Sequence, residues 1–124
     1  MNNIILVIIG GGAGALARYA SIKALGLSKL TYSFSNVSLN IMFVNILGSF
    51  LFGLFLYLSK IFHLSDSIKL LLMTGFISSF TTYSTFIYEF YDLIENKNLL
   101  YAGSYLALSI IIPVFIMLLF LSKT

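Results

Sequence analysis

Gly75 to Phe86 reads GFISSFTTYSTF, which sets six serine and threonine hydroxyls inside an apolar segment long enough to cross a bilayer. Hydrocarbon offers such groups no partner, so a hydroxyl-rich stretch at membrane depth persists only where it faces protein or water. The stretch is therefore expected to line a polar path, and any function of the chain to centre on it.

It belongs to the third of four apolar segments, Ile4 to Leu25, Leu39 to Leu58, Leu70 to Glu89 and Leu99 to Leu121. Each is near the ~20 residues that a spanning helix requires. With 60% hydrophobic and 9% charged residues, the chain lies outside the range of soluble domains. The expectation is an all-α membrane protein with four transmembrane helices per subunit, forming one domain over residues 1–124 and lying multi-pass in the cell (inner) membrane. No basic residue precedes the first segment, which runs into Arg18, so it does not read as a signal peptide. The chain has no cysteine, and its lone histidine, His63, falls in a loop without a second metal ligand nearby. The basic residues are scattered singly at helix ends, which argues for membrane anchoring and against nucleic acid. The sequon-like Asn36-Val37-Ser38 is too short a pattern to carry weight. No paired nucleophile and base and no phosphate-binding loop is present, so an enzyme is not expected.

With four helices, Lys60, Lys69 and Lys123 fall on one side of the membrane and Lys23, Lys29 and Lys97 on the other. That tie, which Arg18 tips by one, leaves the positive-inside rule almost no preference. A subunit of 13.8 kDa also encloses too little volume for a pore of its own. An antiparallel, dual-topology homodimer follows as the expectation.

Along the helices, Gly10 and Gly14 form the small-xxx-small pattern of close helix packing. Arg18, inside the end of the first helix, reads either as a collector of anions at a pore mouth or as a headgroup anchor. Asn45, six residues past Leu39, is an amide at a depth where an unpaired one is costly. It either donates to an anion or ties helices together. In the third helix, Tyr83 and Phe86 share a face, with Ser78, Thr82 and Thr85 nearby. The density of hydroxyls there makes a break near the helix middle plausible, and carbonyls freed at a break can hold a cation. In the fourth, Tyr105 and Ser109 lie one turn apart, and Pro113 deprives the Ser109 carbonyl of its helical partner. Asp66 and Glu95 are expected in loops, with Glu89 and Asp92 at the end of helix three. With no carboxylate at mid-membrane, passive flow is favoured over proton-coupled exchange.

Four features together resemble the Fluc (CrcB) fluoride-channel family over essentially the whole chain. They are Gly-Gly-x-Gly-Ala-x-x-Arg at Gly11 to Arg18, Asn-x-x-Gly-Ser-Phe at Asn45 to Phe50, Gly-Phe followed by Thr-Thr-Tyr-Ser-Thr-Phe at Gly75 to Phe86, and the four-helix length. The resemblance implies an antiparallel dual-topology homodimer with two fluoride pores, exporting cytoplasmic fluoride and giving fluoride resistance. It also implies one structural sodium ion (Na+) at the dimer interface, held by the main-chain carbonyls of Ser78 and Thr81. By the same resemblance, Asn45 donates to fluoride, Tyr83 and Phe86 supply an aromatic box, and Ser84 and Thr85 add polar contacts. Arg18 sits in the vestibule, and Tyr105 and Ser109 continue a hydroxyl track. The chain departs from the family pattern at Tyr83, where phenylalanine is usual, at Ser78-Ser79, where a glycine pair is usual, and at Pro113, where a further hydroxyl is expected. A small multidrug-resistance-like exporter is the alternative four-helix reading, but it needs a glutamate in helix one, and this chain has none.

Overall fold

The computed structural model describes residues 2–24, 40–95 and 99–122. Leu25, Lys29, the sequon-like triplet, Leu39, Lys97 and Lys123 lie outside the described residues. The described chain is all helical: α1 (Asn3–Ala24), α2 (Asn40–Ile61), α3 (Asp66–Lys69), a π-helical stretch (Leu70–Ile77), α4 (Ser78–Phe80), α5 (Tyr83–Glu95) and α6 (Leu99–Leu121). Four spans are long and apolar enough to cross a membrane, with α3 to α5 forming one of them, Asp66–Glu95.

Two expectations from the sequence are corrected in this third span. Asp66 and Glu95, expected in loops, are its first and last helical residues. Hydropathy drops at the first charged residue, whereas backbone hydrogen bonding continues beyond the hydrocarbon into the headgroup region. An ion pair from Lys69 Nζ to Asp66 Oδ1 at 3.4 Å accompanies the added first turn. Glu89, expected at the helix end, is followed by six further helical residues.

His63 adopts φ 47° just beyond α2, and the Leu64 N–H returns to the Ser59 carbonyl at 3.2 Å. This is a Schellman-type stop, in which one left-handed residue lets the chain reverse. The lone histidine is exposed there and serves the turn.

The π-helical stretch packs along α1 through facing glycines. A Cβ placed on Gly75 would lie 2.9 Å from the Gly10 Cα, and one on Gly14 would strike the Phe76 carbonyl. Without an apolar driving force between helices in lipid, such backbone approach supplies much of the association energy. The four clustered glycines of α1 are not equivalent, because nothing lies within 4 Å of a Cβ built on Gly12. Gly14→Ala is expected to destabilise the fold by roughly 1–3 kcal/mol through overpacking against backbone. Gly12→Ala should be near neutral, and thermal unfolding of the two purified variants separates them.

On the other side, α2 packs on α6, where a Cβ on Gly53 would lie 2.5 Å from the Phe120 ring, and Phe50 meets Phe120 edge-on at 5.5 Å. The buried core joins Ile41 of α2, Phe86 and Leu93 of α5, and Ala102 and Tyr105 of α6.

Candidate functional site

Helical residues stop at Phe80 and resume at Tyr83, and Thr81 between them is extended, with φ −80° and ψ 160°. A step of this kind strands backbone groups that must find partners within the protein. Asn45 of α2 supplies two: its Nδ2 donates to the Thr82 carbonyl at 3.0 Å, and its Oδ1 accepts the Thr82 N–H at 2.9 Å. The amide thus imitates a peptide group and holds Thr82 from both sides. From α1, Arg18 Nη1 donates to the Thr81 carbonyl at 3.1 Å.

A cleft of about 230 Å³ opens beside this step, lined by Asn45, Ser49, Thr81, Thr82, Tyr83, Ser109 and Pro113. Its chemistry is one-sided, since no carboxylate is among the lining residues. The first turn of α5 begins at Tyr83, and the N–H groups of a helix's first turn lack intrahelical acceptors and carry its positive end. Ser109 Oγ is buried without a hydrogen-bond partner among the described residues. The proline at Pro113 frees the Ser109 carbonyl as well. Ser49 is committed elsewhere, its Oγ donating to the Asn45 carbonyl at 2.9 Å.

The cleft gathers Asn45, Thr81, Tyr83 and Ser109 of the nominated residues, with Arg18 one hydrogen bond behind it through Thr81. Phe86 and Tyr105 lie apart from its lining. They stack in the core at 5.4 Å between centroids, and the Tyr105 hydroxyl donates to Glu89 Oε2 at 2.6 Å. Tyr83 and Phe86 are 6.0 Å apart and tilted by 41°. Ser84 and Thr85 are exposed, and Thr85 Oγ1 lies 3.2 Å from Thr82 Oγ1. The sequence reading passed over two partners, Thr82 as the group held by Asn45 and Glu89 as the acceptor for Tyr105. Neither has a local signal, because the pairs are 37 and 16 residues apart in the chain.

The carbonyls of Ser78 and Thr81 are in unequal states. A continuous helix would give the Thr82 N–H to the Ser78 carbonyl, but that N–H goes to Asn45, and Ser78 O meets Thr81 Oγ1 at a long 3.4 Å. Ser78 O is thus suited to a cation, whereas Thr81 O already carries a guanidinium N–H.

The sequence profile described as CrcB-like protein, Camphor Resistance (CrcB), matches residues 5–121. The chain belongs to the CrcB-like family. Its relatives are named as channels: the "Fluoride-specific ion channel FluC" of Campylobacter jejuni strain RM1221 is 40% identical over 120 residues, 95% of this chain and 90% of the relative. That of Chlorobaculum tepidum is 42% identical over 109 residues, covering 86% and 82%. The Hydrogenobaculum sp. protein of the same name is 39% identical over 105 residues, covering 84% and 82%. The CrcB-like chain is thus a multi-pass membrane protein of a family of ion channels rather than of enzymes.

Proposed function

We propose that the chain is a fluoride-selective passive channel that lets cytoplasmic fluoride leave the cell. The observation that carries this reading is the cleft beside Thr81 and Thr82, where the positive end of α5, the Asn45 amide and the unpartnered Ser109 hydroxyl meet without a lining carboxylate. Fluoride is small and strongly hydrated, so a path must replace its water with close donors yet bind it weakly enough to release it. Neutral N–H and O–H groups do this better than a fixed charge in contact. One Asn45 hydrogen remains after its bond to Thr82, and Ser109 Oγ supplies another. The Arg18 guanidinium, held just behind, raises the local potential without entering the cleft.

The working unit in this proposal is an antiparallel, dual-topology homodimer in the inner membrane. The lysine tie supports it, and so does the surface of the third span, where the hydroxyl residues Thr74, Ser78, Ser84 and Thr85 are exposed, a polar surface that hydrocarbon does not solvate. A second copy would cover them. A sodium ion on the Ser78 and Thr81 carbonyls of both copies would add a fixed positive charge near the path. The interruption of helix three at Thr81 is the feature that would make both the anion cleft and the cation site.

Fluoride efflux from liposomes holding the purified protein, with chloride as comparison ion, tests the reading. Rapid fluoride loss with little chloride loss is expected, and no flux from well-folded protein would overturn it. In the same vesicles, accessibility labels at both termini should report both orientations, whereas one uniform orientation would remove the antiparallel arrangement.

A further inference from the structure

The Thr81 carbonyl is claimed twice. Arg18 Nη1 donates to it at 3.1 Å from a part-buried position, yet it is also one of the two carbonyls to which a sodium ion is proposed to bind. Ser78 O is ready for such a ion-dipole contact, because its helical donor has been diverted to Asn45 Oδ1 at 2.9 Å. The two carbonyls therefore differ in what must happen before a cation can bind. At Thr81, a cation and a guanidinium on one oxygen would lie a few ångströms apart in a poorly screening environment, where like charges repel strongly.

We propose that the Arg18 guanidinium and a sodium ion are alternative occupants of the Thr81 carbonyl, so that cation binding and the position of Arg18 are linked. The inference rests on the channel reading above and adds a form of regulation to it. Linkage is reciprocal: whatever holds Arg18 on Thr81 weakens the cation, and the cation releases Arg18. Thr81 also lines the anion cleft, so the guanidinium would be released beside it. Occupancy by the cation would then increase the positive charge available to an entering anion.

The test is thermal unfolding of the purified full chain as sodium replaces choline at constant ionic strength, for wild type, Arg18→Gln and Arg18→Lys. In Arg18→Gln the sodium concentration giving half the stabilisation should fall at least tenfold. Arg18→Lys, with a shorter reach and one compact charge, should shift it in the same direction by about threefold or more, which keeps the test open if the glutamine variant does not fold. Equal half-maximal concentrations in wild type and the folded variants would overturn the linkage, as would no response to sodium in any of them. Fluoride efflux from the same wild-type preparation separates the two readings. Flux with unshifted sodium curves sinks the linkage alone, whereas absent flux sinks the channel.

Discussion

Replacing Asn45 by alanine is expected to lower fluoride efflux more than tenfold and also to destabilise the subunit. Both effects follow from its pair of bonds to Thr82, 3.0 Å to the carbonyl and 2.9 Å from the N–H. Without the amide, a part-buried donor and acceptor at the Thr81–Thr82 step are left unpaired, each costing about 1–3 kcal/mol. A loss of roughly 2–6 kcal/mol is therefore expected, with the step losing the geometry that aims the first turn of α5 at the cleft. Asn45→Asp probes the two halves of the bond pair separately. Its oxygen can still accept the Thr82 N–H, but a carboxylate then faces both the Thr82 carbonyl and the entering anion. Flux should fall as far as in the alanine variant or further. If Asn45 served only as a donor to the anion, Asn45→Ala would lose flux while keeping its unfolding midpoint, so an unchanged midpoint is the result that removes the clamp.

How much of this could be read from the chain alone differs from element to element. The fourth span was legible to the residue, Leu99–Leu121, because no charge interrupts it and Pro113 is accommodated inside the helix. Hydropathy placed the second and third spans but shortened them, because their helices continue through Ser59 and Lys60 at one end and through Asp66, Lys69 and Asp92 to Glu95 at others. In the candidate site, the unusual residues announced themselves by their cost: an amide at depth, an arginine inside a span and a run of hydroxyls. Their partners did not. The Thr82 backbone carries no side-chain signature of being held by Asn45, and Glu89 reads as a helix-end charge until the fold brings Tyr105 against it. The aromatic pair was legible as neighbours at i, i+3, yet not as residues of opposite environment.

That difference of environment gives the other large expected effect. Phe86 is 7% exposed and stacks on Tyr105, whereas Tyr83 is 76% exposed and its ring contact is with Phe86 alone among the described residues. Phe86→Ala should therefore open a cavity within the cluster of Ile41, Leu93, Ala102 and Tyr105. In soluble cores such a truncation costs about 3–5 kcal/mol, but lipid removes much of the transfer contribution, leaving roughly 2–3 kcal/mol from lost packing. Tyr83→Ala, at a surface position of the subunit, should stay within about 0.5 kcal/mol. Chemical denaturation in detergent at several protein concentrations measures both. A cost for Tyr83→Ala that grows only at concentrations where subunits associate would place the ring in the interface between copies, consistent with the proposed dimer. A cost equal to that of Phe86→Ala and independent of concentration would overturn the separation of the two rings. Tyr83→Phe then isolates the hydroxyl: with the ring retained, any change in efflux without a change in stability belongs to the phenol oxygen of this cleft-lining residue.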